Sequence, residues 1–307
     1  MLSIGIDISK GKLDCCIAGK CIQIANDEKA IKQLFKSVTR DSQIVMEATG
    51  KYHRLAHRTL ELMGFVVMVI NPYQSKHFAN AMNLKCKTDK VDAQMLMCYA
   101  KRMEFIPTPC ASPKEQALQE LTRYLDDLKE LKIELEARIR DNTGFIKSSL
   151  ERNLKSIKRE LEKTREKLKK EISESEPHTR KLNLLLSIPG VGETSAIYLI
   201  SCLRELGQVN KREIASLSGL APMNHDSGNS QGKRRVMGGR RDIRKRLYMP
   251  VLASATLNNN PRLRELYLRL VATNKPKKVA LIACMRKLVI WANAVIATDK
   301  PWDDSYA

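Results

Sequence analysis

A hydrophobic seam runs through the middle of the chain and decides its organisation. Leu118, Leu121, Leu125, Leu128, Leu135 and Ile139 follow in heptad steps, with Lys132 the polar exception. Leu150, Leu154, Ile157, Leu161, Leu168 and Ile172 resume the pattern, with Thr164 in one of its slots. Such spacing lays an apolar stripe along one side of a helix, and each half must cover that stripe against something. Asn142-Thr143-Gly144 separates the halves and predicts a kink or a reversal. Residues 111–178 therefore read as a coiled-coil arm or long helical hairpin between flanking domains at 1–110 and 179–307. The evenly mixed charges on its other faces favour a dimerising arm over one that packs on its own domain.

The flanking parts differ in charge. Of a net +20, residues 179–307 carry +13 and residues 1–110 carry +6. An excess of that size implies a polyanionic partner. The densest run is Lys233, Arg234, Arg235, Arg240, Arg241, Arg244, Lys245 and Arg246, interleaved with Gly232, Gly238 and Gly239. It then enters the apolar Leu247-Tyr248-Met249, so it reads as a phosphate-contacting loop leading into a helix. No apolar run approaches the ~18 residues of a membrane span, and the first residues lack a signal-peptide core. No membrane partner is expected. The cysteines at 15, 16, 21, 86, 98, 110, 202 and 284 form no C-x-x-C pair and have no histidine at ligand spacing. Neither a zinc site nor a disulfide framework is expected, and a reducing cytoplasm fits.

The first part alternates elements. Leu2 to Asp7, Lys12 to Ala18 and Cys21 to Ala25 predict three strands in a meander; Asp27 caps a helix to about Val38. Gln43 to Ala48 and Phe65 to Ile70 predict buried strands around a helix at Tyr52–Met63, making a mixed α/β sheet. Asp7 ends the first strand, Glu47 ends the fourth, and Asp89 and Asp92 share one face of a helix running to about Arg102. Taken singly, each acid has an ordinary explanation: a turn, an N-cap, or a pair with Lys51. Taken together, four converging carboxylates would repel one another without divalent cations. Mg²⁺ takes oxygen ligands and leaves positions open for phosphate, and two ions can serve both oxygens of a phosphoryl transfer.

In the last part, Leu182–Ile188 and Thr194–Leu203 flank Pro189-Gly190-Val191-Gly192. This is similar to a helix-hairpin-helix element, in which Gly190 and Gly192 would let backbone N–H groups approach a DNA phosphate. The same motif also serves as plain helix packing. Further on, Ser227 follows His225 and Asp226, six residues before the basic run. A serine needs a base or a metal to act as nucleophile, and attack on a phosphodiester needs neutralising charge, which the arginines could supply.

The strand order and the acids, with their T-D-x-x-D-A element, resemble the RuvC-like branch of the RNase H superfamily, and more closely the DEDD transposases of Piv/MooV-type insertion sequences. A-P-x-x-x-D-S-G, then G-K-R, G-G-R and R-x-x-L-Y-M, then Lys277-Lys278-Val279-Ala280 to Leu288, resemble the C-terminal domain of the same family. The resemblance implies a metal-binding quartet of Asp7, Glu47, Asp89 and Asp92, and Ser227 as the residue joined to DNA, with Ser230 a lesser alternative. Nucleic-acid contacts fall to Gly190, Gly192, Lys233, Arg234, Arg235, Arg240, Arg241, Arg244, Lys277 and Lys278. It also implies donor and target DNA, a structured bridge RNA, a homo-oligomer (dimer or tetramer), a composite active site, and a nucleoid-associated location in a bacterial or archaeal cytoplasm. Two rivals stay open: a metal-dependent hydrolytic junction nuclease, and a non-catalytic nucleic-acid-binding scaffold.

Overall fold

The computed structural model describes residues 2–84, 88–224, 226–227, 230–232 and 234–303, the side chains of 226, 227, 230 and 231 excepted. The chain divides into two units, Met1–Ser112 and Pro113–Ala307.

In the first unit β1 (Ser3–Ile8), β2 (Lys12–Ile17) and β3 (Lys20–Ala25) form an antiparallel meander. After α1 (Glu28–Phe35), β4 (Gln43–Glu47) returns parallel to β1. After α2 (His53–Leu62), β5 (Val66–Ile70) lies parallel to β4, giving the order β3-β2-β1-β4-β5. Asn71 then caps α3 (Pro72–Ala81), accepting from Gln74 N at 2.9 Å, and Thr88 caps α4 (Asp89–Arg102), accepting from Val91 N at 3.3 Å. α3 was not expected from the sequence, where Asn71-Pro72 reads as a stop. The same two residues are a strong helix start, since proline at the first helical position loses no needed donor.

Period-two alternation puts opposite faces of the strands to different uses. Ile4, Ile6, Ile44, Met46 and Leu13 pack with Ile31, Phe35, Ala56 and Leu60 of α1 and α2. The other face meets α4: Val45, Met68 and Ile70 pack on Met95, Leu96, Tyr99 and Ala100, and Cys16 packs on Ala93 and Met97. Segment 103–112 then runs along the outer edge of β5, where Thr108 N donates to Val67 O at 2.8 Å and Thr108 Oγ1 accepts from Val69 N at 3.0 Å. That occupies backbone groups an open sheet edge would leave unpaired.

The second unit begins with α5 (Pro113–Arg140) and α6 (Gly144–Ser173), which pack on each other across the expected reversal. Gly144 makes that turn with φ of +59°. Leu118, Leu125 and Leu128 meet Leu161, Leu168 and Ile172, so the seam closes within the chain. Away from this core Leu131, Ile133, Phe145 and Ile146 stay exposed. The unit continues with α7 (Glu176–Leu186), α8 (Glu193–Cys202) and α9 (Lys211–Leu217). Among the described residues four two-residue strands follow, β6 (Pro222–Met223), β7 (Asp226–Ser227), β8 (Ser230–Gln231) and β9 (Arg235–Val236). Last come α10 (Arg241–Thr256), α11 (Pro261–Ala272) and α12 (Lys277–Thr298). By length and composition α12 could cross a membrane, yet Ala280, Leu281, Cys284, Met285, Leu288, Val289 and Trp291 are buried in the unit.

One contact governs the first unit. A Cβ on Gly5 would lie 2.1 Å from Ala93 O and 2.3 Å from Met97 N, so α4 rests its backbone directly on β1. Gly5→Ala is therefore expected to lower unfolding stability by at least about 2 kcal/mol, measured by urea denaturation, because backbone cannot yield as a side chain can.

Candidate active site

Asp7 and Glu47 sit at the carboxyl ends of the parallel neighbours β1 and β4, where open α/β sheets place their ligands. Asp89 and Asp92 occupy the first turn of α4, where the helix dipole favours negative charge. The contact at Gly5 holds that turn beside Asp7. All four acids line one cavity of about 640 Å³, together with Ser75 and Lys76 of α3.

The acids sense one another. Burial pushes the half-buried Asp7 carboxyl up to about 6 from 3.8, and repulsion from Asp92, then from Asp89 and Glu47, adds to it against an opposing backbone hydrogen bond from Ile8. Asp89 goes the other way: Lys12 Nζ donates to its Oδ2 at 2.7 Å and holds the carboxyl below its ordinary range. Both partners are largely exposed, so this pair orients more than it stabilises. Ser75, buried on α3, donates to Glu47 Oε2 at 2.5 Å. Among the described residues the quartet does not close to three oxygens within 4.8 Å of one another, so the acids surround the cavity without forming a finished cage. An all-oxygen, mutually repelling donor set facing open space suits a hard divalent cation.

Sequence reasoning missed Ser75 and Lys12, and also Asp14. Asp14 is paired opposite Asp7 in the β1–β2 register, is 3% exposed, and accepts from Gln23 Nε2 at 2.9 Å. The carboxylate in a strand was a visible signal for Asp14. Ser75 had none, because α3 itself was not expected.

In the second unit Ser227 lies on β7, opposite Ser230 of β8. Its side chain, that of Ser230, and the whole of His225 and Lys233 lie outside the described residues. What is described is the base of this excursion. The backbone leaves at Gly219 and returns through Gly238-Gly239, where a Cβ on Gly239 would lie 2.2 Å from Gly219 N. Arg244 bridges the opening, donating to Gly219 O at 2.9 Å and Gly238 O at 2.7 Å. Arg240 forks onto Glu205 at 2.6 Å with both nitrogens and also donates to Cys202 O. Arg246, the last of the basic run, donates to Asp126 at 2.5 Å beneath Tyr198, which donates to the same carboxylate at 2.6 Å.

The basic run is thus divided. Arg240 and Arg244 are committed to internal bonds, whereas Arg234, Arg235 and Arg241 are exposed, as are Lys277 and Lys278 at the start of α12. In the turn between α7 and α8, Gly190 (φ +80°) is needed for packing, since a Cβ there would lie 2.4 Å from Ser254 Oγ. Gly192, the N-cap of α8, faces open space.

Two family models match parts of the chain. A model described as a transposase of the DEDD, IS110 type matches residues 4–142, and one described as "Transposase IS116/IS110/IS902 family" matches residues 182–268. Two relatives match along nearly their whole lengths. A pilin gene-inverting protein of Moraxella bovis is 28% identical over 320 positions, covering 98% of this chain and 97% of that protein. One of Moraxella lacunata is 27% identical with the same coverage.

The raised Asp7 pKa sets a pH signature. Because the folded value lies above the unfolded one, the penalty for an ionised Asp7 is absent below about pH 3.8 and fully present above about pH 6. Asp7→Asn should therefore raise the melting temperature of chelator-treated protein at pH 7.5 and leave it nearly unchanged at pH 4, read by calorimetry at both values.

Proposed function

The chain belongs to the IS110 family of transposases and is a DNA recombinase, and from that premise we propose that it cuts and rejoins strands through a phosphoserine at Ser227. The observation that carries this reading is the convergence of Asp7, Glu47, Asp89 and Asp92 on one cavity. The strand order, three antiparallel and two parallel, supports an RNase H fold of the RuvC-like kind for residues 1–110. Residues 111–178 then serve as the coiled arm and 179–307 as the serine-bearing domain, with a helix-hairpin-helix-like element in which 182–188 and 194–203 flank Pro189-Gly190-Val191-Gly192.

In this reading the Ser227 hydroxyl attacks a backbone phosphorus. The serine–phosphate bond forms, the bond to the 3′ oxygen breaks, and the serine proton is given up while the departing 3′ oxygen takes one. A 3′-hydroxyl of a partner strand then attacks the phosphoserine and returns the serine, so no external energy source is required. Mg²⁺ held by Asp7, Glu47, Asp89 and Asp92 would supply Lewis-acid stabilisation of the charge that gathers on phosphate oxygens. Ser75 and Lys12 keep Glu47 and Asp89 in place for that task. Arg240 and Arg244 act by holding the base of the Ser227 excursion. Direct phosphate contact falls to Lys233, Arg234, Arg235, Arg241, Lys277 and Lys278, with backbone N–H groups at Gly192 and Gly190.

The partners in this reading are donor and target DNA and a structured bridge RNA that supplies sequence choice by base pairing. The +13 of the last part suits a duty of holding two polyanions. The exposed Leu131, Ile133, Phe145 and Ile146 of the helical hairpin suit contact with a further copy of the chain. A cytoplasmic, nucleoid-associated protein without a membrane partner fits these duties.

The test is to incubate protein, the RNA transcribed from the flanking element, Mg²⁺ and labelled DNA, and look for a covalent adduct on denaturing gels. Wild type should form it, Ser227→Ala should not, and Asp7→Ala should cut adduct formation by about a thousandfold, as losing a principal electrostatic stabiliser does. Ser230→Ala should retain it. Cleavage undiminished in Ser227→Ala would instead identify a hydrolytic nuclease, and DNA binding without any cleavage a scaffold.

A further inference from the structure

We propose that His57, Glu61 and Cys110 form a metal site separate from the acidic quartet, and that it takes Zn²⁺. His57 and Glu61 stand one turn apart on α2 and so share a face. Cys110 comes from segment 103–112, which the Thr108 bonds fasten along β5. One ligand atom from each of the three, imidazole nitrogen, carboxylate oxygen and thiol sulfur, lies within 4.8 Å of the other two. Tetrahedral zinc, with bonds of roughly 2.0–2.3 Å, needs its ligand atoms somewhat under 4 Å apart. Small side-chain adjustments close that difference.

The donor chemistry selects the ion. Imidazole and thiolate suit zinc, whereas magnesium takes oxygen ligands and avoids sulfur. The site also has an orienting bond of the kind metal carboxylates require: Cys110 N donates to Glu61 Oε1 at 3.0 Å. His57 is buried, Cys110 half-buried and Glu61 exposed, so three protein ligands would leave the fourth position on the solvent side. The spacing 57, 61, 110 matches no short zinc motif, which is why the cysteine pattern alone gave no sign of it. Bound zinc would join residues 49 apart in sequence and fasten the last segment of the first unit to α2. None of the three residues belongs to the quartet, so the site acts on the order of this segment.

Cobalt provides a direct probe, because a thiolate bound to Co²⁺ gives an intense near-ultraviolet charge-transfer band. Full-length protein stripped of metal should develop that band with one Co²⁺ per chain and lose it on adding Zn²⁺ but not excess Mg²⁺. The band should vanish in Cys110→Ser and persist in Asp92→Asn and Cys98→Ser. Zn²⁺ should raise the melting temperature of wild type and leave that of Cys110→Ser unmoved. Glu61→Gln, at an exposed position, should keep the fold and weaken Co²⁺ binding at least tenfold. No band in wild type, a band that survives Cys110→Ser, or unchanged affinity in Glu61→Gln would overturn the assignment. Since adduct formation at Ser227 is read separately, failure here leaves the recombinase reading standing.

Discussion

Everything at the acidic cavity depends on one backbone-to-backbone approach. Strands and helices usually keep a layer of side chains between them, but α4 lies against β1 with no room for a Cβ at Gly5. The approach brings the first turn of α4, with Asp89 and Asp92, within electrostatic reach of Asp7. Burial first, and then repulsion from Asp92, make an ionised Asp7 unfavourable there. The placement is maintained by apolar contacts further along α4, where Met95, Leu96, Tyr99 and Ala100 bury against β4 and β5. The fold thus uses hydrophobic burial at one end of a helix to hold like charges together at the other. Strain of this kind is common where a site is built for a ligand that supplies the missing charge.

Much of this was legible from the residues alone. The alternation of bulky and small residues from Leu2 to Asp7 and the apolar runs at 43–48 and 65–70 identify β1, β4 and β5, because strands covered by helices on both faces must be apolar on both. The small Gly5 marks the face of β1 that meets the backbone of α4. The heptad steps likewise identify α5 and α6. What heptads do not encode is the partner. A leucine stripe is equally satisfied by its own neighbour or by another chain, and here Leu118, Leu125 and Leu128 find Leu161, Leu168 and Ile172 of the same chain. The hairpin leaves a smaller apolar surface for association than an unpaired arm would.

The remainder was illegible for a definite reason: it consists of pairings between residues far apart in sequence. Ser75 reaches Glu47 across 28 positions, and Lys12 reaches Asp89 across 77. No local pattern announces such bonds. Charge clustering misleads in the same way. Eight basic residues in a short stretch read as one phosphate-contacting surface, yet Arg246 is 7% exposed at its side chain and paired to Asp126, 120 positions away.

That division of the arginines bears on how Ser227 can be carried on so slight a piece of structure. β6 to β9 are two residues each and offer few ladder bonds of their own. Precision must therefore come from where the excursion is anchored. Three features meet there: the Gly219–Gly239 contact, Arg244 spanning two carbonyls, and Arg240 tied to Glu205 and to Leu217 through its backbone. A guanidinium suits this position because its planar fork satisfies two acceptors in one fixed geometry, which a lysine ammonium does not. Glycine suits it because two strands of backbone must pass closer than any Cβ permits. The same stretch of sequence therefore serves two ends. Arg240 and Arg244 fix the base of the excursion that carries Ser227, and on the reading proposed above the exposed Arg234, Arg235 and Arg241 supply positive charge for a phosphodiester under attack.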